Sequence, residues 1–280
     1  MLALIHTLLA AVPSPHAAQM AQYGDVEAPL LPRLPYLPLP PIAAGDTQAT
    51  VYGYHPYWGD DPTGLNFDDL THLAIFAVEL NSDGSLSSKS RWTNVAGSVV
   101  PLAHAHGVKV HLCVISFDDA VHAAFLPSAS RRATAIAALK QLVDDYGADG
   151  VNVDIEGLDA DLRGDMVTFL QELDAAVGDV VVATPAIDWS DAFDEAAMSQ
   201  LSGGMFIMGY GYHWTGGDPG PNDPLFGGDP WSSYSLEKTV QSYLSAGADP
   251  TKIILGLPLY GQEWEMTNPG QVPGDSTGDA

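Results

Sequence analysis

Short β-branched or aromatic runs alternate with stretches of helical spacing along most of this chain, and this alternation limits the fold more than any other feature. Apolar residues recur every three or four positions over residues 136–146, 166–177 and 236–244, which predicts three helices with one buried face each. The runs between such stretches predict seven strands. These are Thr50–Tyr54, His72–Val78, Lys109–Ile115, Gly150–Ile155, Val180–Thr184, Met205–Met208 and Lys252–Leu257.

Strands that alternate with helices form βαβ units and a parallel sheet. Seven units in roughly 230 ordered residues favour an α/β fold of the (β/α)₈ TIM-barrel class over an open doubly wound sheet. No glycine-rich phosphate fingerprint follows the first strand, which argues against a Rossmann domain. After Trp264 the chain runs through Pro, Gly and Asp, so we expect a barrel that lacks its C-terminal eighth strand, and therefore a C-terminally incomplete and poorly stable domain.

The charge of the chain excludes several kinds of partner. Its 280 residues include 10 Lys plus Arg and 35 Asp plus Glu, a formal net charge of −25. Such a surface repels phosphate, so we expect neither nucleic acid nor an anionic membrane as a partner, and no apolar run is long enough to span a bilayer. A single cysteine, Cys113, excludes an internal disulfide and a Cys-based zinc cluster. We expect a monomer without cofactor or bound metal.

The first 48 residues are not expected to belong to the fold. The apolar stretch from Leu2 to Val12 is followed by Ala17-Ala18, a small-residue cleavage site, which predicts a signal peptide over residues 1–18 and a secreted or extracellular protein. No Lys or Arg precedes the stretch, and a frayed apolar N-terminus is the alternative. Prolines between residues 29 and 41 predict an extended linker over residues 19–48, so the folded domain covers residues 49–280.

The predicted strand in DGVNVDIE, residues 149–156, carries the side chains best suited to acid–base chemistry. Because side chains alternate along a strand, Asn152, Asp154 and Glu156 share one face, and valines and an isoleucine take the other. In a barrel the polar row points inward, and Glu156 lies at the carboxyl end, where barrel enzymes place catalytic groups. Buried acids are costly unless they are hydrogen-bonded or functional. The row predicts an active site, and a satisfied polar layer is the alternative.

This segment also carries a family resemblance. DGVNVDIE resembles the DGxDxDxE signature of family 18 glycoside hydrolases, the chitinase family. Three more segments resemble the family in the correct order, and together the similarity covers about residues 50 to 264. They are VYGYHPYW (Val51–Trp58) for the first strand, IMGYGYHW (Ile207–Trp214) for the sixth and KIILGLPLYGQEW (Lys252–Trp264) for the seventh.

The resemblance implies a retaining glycoside hydrolase that cleaves β-1,4-linked N-acetylglucosamine glycans, such as chitin, by substrate-assisted catalysis. Glu156 matches the general acid, and Asp154 matches the residue that orients the 2-acetamido group and stabilises the oxazolinium ion. Tyr210 matches the hydroxyl that holds the acetamido carbonyl. Asn152 stands where many members carry Asp; it can hydrogen-bond Asp154 but cannot share a proton with it. The expected partner is a polysaccharide or oligosaccharide substrate.

Two departures from the family pattern leave alternatives open. Gly211 replaces the Asp of M-x-Y-D, and VISFDD, residues 114–119, lacks the S-x-G-G ending of the third strand. Gly211 leaves open a catalytically weak, chitinase-like carbohydrate-binding protein. A peptidoglycan or spore-cortex hydrolase is a second alternative, which the sequence does not separate from a chitinase.

Large side chains at or just past strand ends are the expected sugar-binding platforms, with core packing as the alternative for each. Trp189 has this placement, and His55 and His213 also follow strands but match no metal-binding spacing. The residues predicted to bind substrate are Tyr54, Trp58, Phe76, Met208, Trp214 and Trp264.

Overall fold

Seven parallel strands form one curved sheet in the computed structural model, which describes residues 15–35, 49–214, 216–268, 270, 272 and 274–276. With one short antiparallel strand included, the strands are β1 (Tyr52–Pro56), β2 (His72–Leu80), β3 (Leu86–Ser87), β4 (Lys109–Ser116), β5 (Gly150–Ile155), β6 (Val180–Pro185), β7 (Gly204–Met208) and β8 (Ile253–Gly256). The order of the parallel strands, β1-β2-β4-β5-β6-β7-β8, follows the chain, and the short β3 pairs with β2 in an antiparallel hairpin.

The sheet confirms the predicted α/β barrel class and all seven predicted strands. The two-residue β3 escaped prediction because it is too short to show an alternating pattern. In the described residues no parallel strand follows β8, and β1 and β8 are not hydrogen-bonded to each other. The curved sheet is therefore open between these two strands.

All three predicted helices are present and pack on the outer face of the sheet. The helix over residues 129–146 ends at Gly147, which adopts the left-handed conformation (φ 66°) that glycine tolerates best. In the described residues no helix combines the length and the apolar composition that a membrane span requires. The helices are α1 (Pro15–Tyr23), α2 (Ser90–Thr93), α3 (Ala96–Ala105), α4 (Asp119–Phe125), α5 (Ala129–Tyr146), α6 (Arg163–Val177), α7 (Glu195–Met198) and α8 (Leu236–Ser245).

The main core lies between the sheet and these helices. Val151, Val153 and Ile155 of β5 are fully buried there, in one cluster with Leu139 of α5 and Phe169 of α6. Burial of this kind removes apolar surface from water, which stabilises the fold by about 25 cal/mol for each Å² buried. It fixes the orientation of β5, since the apolar face must point outward to the helices and the polar face inward.

An N-terminal segment, residues 15–35, also packs on the domain, whereas the sequence predicts no fold contribution from it. Ala28 is buried in the main core cluster. The backbone N–H groups of Leu31 and Leu34 donate to the carbonyls of Asn94 and Gly97 at 2.9 and 2.8 Å. The predicted signal peptide and linker stay predictions, and residues 1–14 and 36–48 lie outside the described residues.

Candidate active site

Strand β5 presents the polar row to the inside of the curved sheet. Asn152 and Asp154 are fully buried, and Glu156, directly after the strand, is 8% exposed. The backbone N–H of Glu156 donates to the carbonyl of Ser116 at 3.1 Å and so ties the end of β5 to the end of β4. Glu156 therefore lies at the carboxyl edge of the sheet, as the alternation predicts.

Asn152 is held by three neighbours. Its Nδ2 donates to Oη of Tyr54 at 2.8 Å and to the carbonyl of Val181 at 3.5 Å. Its Oδ1 accepts from the thiol of Cys113 at 3.2 Å. Burial raises the pKa of that thiol well above its usual value, so it stays protonated and remains a donor. The hydrogen bond to Asp154 that the sequence allows is not formed, since Oδ1 of Asp154 has no hydrogen-bond partner among the described residues.

The imidazole of His16, from α1, occupies the space between the acids. Its Nδ1 lies 2.8 Å from Oδ2 of Asp154 and 3.2 Å from Oε1 of Glu156. Burial alone would lower the pKa of His16, but the charges of Asp154 and Glu156 and the hydrogen bonds to both raise it to about 10. The ring is therefore an imidazolium at neutral pH. No pattern in the sequence points to this residue, which falls within the predicted signal peptide.

Tyr210 faces the same ring from the opposite side. Its Oη lies 3.0 Å from Nε2 of His16, which as an imidazolium nitrogen donates to the phenol oxygen. Burial, and then the charges of Asp154 and Glu156, raise the pKa of Tyr210 well above its usual value. The phenol thus keeps its proton and can act as a hydrogen-bond donor. Asp154, Glu156 and Tyr210, three of the four residues that the sequence assigns to catalysis, thus meet at one ring, and the fourth, Asn152, lies in the same polar row.

Three of the predicted sugar-binding residues surround this site. The rings of Tyr54 and Phe76 lie 6.3 and 5.5 Å from that of His16. Trp58 contacts Phe76 edge to face at 5.7 Å and stacks on Tyr23 of the N-terminal segment at 5.0 Å. The N-terminal segment thus stacks on Trp58 and lies beside the rings of Tyr54 and Phe76.

The remaining predicted platforms have different surroundings. Met208 is buried in one cluster with Phe206, against which Tyr54 and Tyr210 pack, a position that suits core packing beneath the site. Trp264 donates its indole N–H to the carbonyl of Trp214 at 3.1 Å, which joins these two residues. Trp189 is 75% exposed, and its ring meets that of Tyr234 edge to face at 5.1 Å. A sugar-binding role for each of these stays a prediction.

Among the described residues, two groups of metal-ligating side chains form, and neither has a recognisable spacing in the sequence. His55 and His213 belong to neither: His55 is buried, and Nδ1 of His213 contacts the carbonyl of Asp218 at 3.1 Å. In each group the ligand atoms lie within 4.8 Å of one another. The groups are His16, Asp154 and Glu156 in the candidate active site, and His72, His111 and Asp179 at the opposite end of the sheet.

Comparison with known families decides what kind of protein has this arrangement. Residues 50–278 match the profile of the glycosyl hydrolases family 18. The chain belongs to glycosyl hydrolase family 18. Its structure resembles that of the family 18 chitinase from Cycas revoluta in complex with (GlcNAc)₃, with a TM-score of 0.74 and 20% identity over 83% of this chain and 75% of that one. At this identity the likeness shows the shared barrel fold.

Curated proteins of differing description are similar in sequence. The putative sporulation-specific glycosylase YdhD of Bacillus subtilis is 31% identical over 47% of this chain and 31% of its own length. Chitinase 1 of Aphanocladium album is 25% identical over 76% of this chain and 61% of its own length. The chain spans between about a third and three fifths of the length of these two curated relatives.

Both departures from the family 18 pattern have structural explanations. Gly211 has a φ of 76°, a conformation that side-chain-bearing residues rarely adopt, and its N–H donates to Oδ1 of Asn222 at 2.9 Å. Asp118, in the segment without S-x-G-G, caps α4 by accepting from the N–H groups of Ala120 and Val121 at 2.8 and 3.4 Å. Both residues thus stabilise the backbone conformation around the site.

Proposed function

We propose that this family 18 protein is a retaining glycoside hydrolase for β-1,4-linked N-acetylglucosamine glycans such as chitin. One observation carries the proposal: a single imidazole contacts Asp154, Glu156 and Tyr210 at 2.8, 3.2 and 3.0 Å. Groups that converge on one five-membered ring can also converge on one acetamido group, which has a similar size. The three residues can therefore all contact the acetamido group of one N-acetyl sugar.

In the first step the substrate supplies the nucleophile. The acetamido carbonyl oxygen attacks the anomeric carbon while Glu156 gives its proton to the glycosidic oxygen, and the bond to the leaving sugar breaks. Asp154 accepts a hydrogen bond from the acetamido N–H and offsets the positive charge of the oxazolinium ion that forms. Tyr210 donates its phenolic proton in a hydrogen bond to the acetamido oxygen and holds it for attack.

In the second step water completes the reaction. The Glu156 carboxylate takes a proton from a water molecule as its oxygen attacks the anomeric carbon, and the oxazolinium ring opens to restore the acetamido group. Two inversions at the same carbon retain the anomeric configuration. The enzyme ends with Glu156 protonated, as it began.

A peptidoglycan or spore-cortex hydrolase is the second candidate, and the similarity to the sporulation-specific glycosylase favours it. Its substrate also carries N-acetyl groups, so the same residues would act in the same roles. We further propose that the protein acts as a monomer outside the cell, where both polymers lie. The apolar stretch from Leu2 to Val12 with Ala17-Ala18 supports this location.

Product analysis with chito-oligosaccharides and peptidoglycan fragments side by side tests the proposal. Wild type and His16→Ala are both assayed, because the imidazole must leave before a sugar enters. We expect products of retained configuration by NMR, and no cleavage where the sugar at the cleaved position has been deacetylated. Glu156→Gln should lower turnover by about 10² to 10⁴, whereas Glu237→Gln, an exposed control, should not. Inverted product, or near-normal turnover in Glu156→Gln, would contradict the mechanism.

A further inference from the structure

Polar side chains meet at the amino end of the sheet, at the edge opposite Glu156. His72 begins β2, His111 lies near the start of β4, and Asp179 directly precedes β6. Parallel strands begin at the same edge, so their first residues come together. One ligand atom from each of the three residues lies within 4.8 Å of the others.

Hydrogen bonds fix which nitrogen of His72 is free. Its Nδ1 lies 2.9 Å from Oγ1 of Thr71. The hydroxyl of Thr71 already donates to the carbonyl of Val51 at 3.0 Å, so it accepts from a protonated Nδ1. The lone pair of His72 is therefore on Nε2. In this tautomer the imidazole can give that lone pair to a metal ion.

His111 offers the second nitrogen. Its side chain is fully buried, and its Nδ1 pairs with the phenol of Tyr52 at 3.0 Å. Its Nε2 is buried, has no hydrogen-bond partner among the described residues and lies 3.7 Å from Oδ2 of Asp179. An unsatisfied buried polar atom costs about 1–3 kcal/mol. A cation bound at this nitrogen would satisfy it.

From this geometry we infer that His72, His111 and Asp179 bind a divalent transition metal of the Zn²⁺ type. Two imidazole nitrogens and one carboxylate oxygen are a donor set that such metals favour. In the structure Lys109 pairs with Oδ2 of Asp179 at 2.6 Å. The ammonium is partly exposed and must swing into solvent when the metal binds. The metal would then join β2, β4 and the start of β6 in a sheet that is open between β1 and β8.

Calorimetry with Zn²⁺ alone on the full chain tests this site. We expect one zinc per chain at this position, at least a tenfold loss of affinity in His72→Gln and in Asp179→Asn, and a tenfold gain in Lys109→Met. The exposed His106→Gln is the matched control and should change nothing. Bound Co²⁺ should give visible absorption that His72→Gln removes. Zinc binding that is insensitive to His72→Gln but lost in Asp154→Asn would place the metal in the active site and overturn the inference, as would no binding.

A separate observation concerns the N-terminal segment, and the inference from it rests on the proposed function. The imidazolium of His16 is a planar, five-membered cation, as is the oxazolinium ion of the proposed reaction. It contacts the same Asp154, Glu156 and Tyr210. The site thus holds a group from its own chain where the intermediate would lie.

Contacts beyond His16 hold the segment in place. Besides the stack of Tyr23 on Trp58, the phenol of Tyr57 donates to the carbonyl of Tyr23 at 2.9 Å. Further along, the guanidinium of Arg33 lies over the ring of Tyr146 at 5.1 Å. We propose that residues 15–35 close the site in the uncut chain. A cut after Ala17-Ala18, as the sequence predicts, would remove His16 and open it.

Oligosaccharide binding in a turnover-deficient background tests this closure. We expect Glu156→Gln with His16→Ala to bind chito-oligosaccharides at least tenfold more tightly than Glu156→Gln alone. Glu156→Gln with Gln22→Ala, a change at an exposed position of the same helix, should leave affinity unchanged. Equal affinity with and without His16 would overturn the closure.

Hydrogen exchange gives a readout without a sugar. Amides of α1 should exchange at least tenfold faster in His16→Ala than in wild type, and unchanged exchange would overturn the closure even if no oligosaccharide bound. Faster exchange together with no binding to any N-acetyl glycan would instead count against the proposed function alone.

Discussion

Nδ1 of His16 lies 2.8 Å from Oδ2 of Asp154, although 138 positions separate the two residues. Asp154 is fully buried, and a buried carboxylate is costly without a partner of opposite charge. The imidazolium provides that charge in the structure. A bound N-acetyl sugar would supply the positive charge itself, because this charge develops on the sugar as the oxazolinium ion forms. Asp154 is therefore placed to favour a cation at this point.

Asp154→Asn should abolish most turnover while the fold remains. The amide keeps the shape of the side chain but no longer offsets the oxazolinium charge or reliably accepts from the acetamido N–H. We expect turnover to fall by about 10²-fold or more, measured on chito-oligosaccharides with unchanged circular dichroism. Asp68→Asn, at an exposed position, is the control, and near-normal turnover in Asp154→Asn would exclude its proposed role.

Asn152→Asp should alter the pH dependence of activity. The neutral amide donates to Tyr54 and Val181 and cannot share a proton with Asp154. Two buried carboxylates at adjacent inward positions repel each other, so the pair binds an extra proton in the acid range. We expect the acidic limb of the pH–rate profile to change and the basic limb to stay nearly in place. Asn66→Asp, on the surface, is the control. An acidic limb in Asn152→Asp that is identical to that of wild type would contradict this prediction.

The imidazolium of His16 should make stability depend on pH above neutrality. Its pKa rises from 6.5 to about 10 on folding, so its contribution is fully present below about pH 6.5 and is lost as pH rises through about 10. Asp154, Glu156, Tyr210 and Tyr54 are the titratable groups that face the ring. The free energy of unfolding should fall by up to about 1.4 kcal/mol per pH unit in this window.

Urea unfolding of wild type and His16→Asn at several pH values between 6.5 and 10 measures this slope. Asparagine does not titrate, so the two curves should converge as pH rises. Gln22→Asn, on the exposed side of α1, should follow wild type. Parallel curves for wild type and His16→Asn would show that the imidazole does not gain a proton on docking.

Asp118→Ala should destabilise the domain through the start of α4. Alanine removes the oxygen that accepts from the N–H groups of Ala120 and Val121. Loss of such a cap costs about 0.5–2 kcal/mol, which urea unfolding at pH 7 can measure. Asp118→Asn keeps an accepting oxygen and should lose much less. Equal losses in the two variants would mean that the cap oxygen contributes little.

The sequence by itself determined the sheet, the main helices and the position of the two acids. Strand and helix patterns are local, because side chains return to the same face every two residues in a strand and every 3.6 residues in a helix. Once the valines of β5 face the helices, Asp154 and Glu156 must face inward. The segments that resemble family 18 could therefore be recognised from the sequence alone.

Only the tertiary structure decided which distant residues meet. The contact of His16 with Asp154, and that of Cys113 with Asn152, join positions with no common period or spacing. His72 and His111 likewise come together only because β2 and β4 are neighbours in a parallel sheet. Such contacts depend on how strands are ordered and on where a terminal segment docks. Both follow from the packing of the whole chain, which a local pattern does not encode.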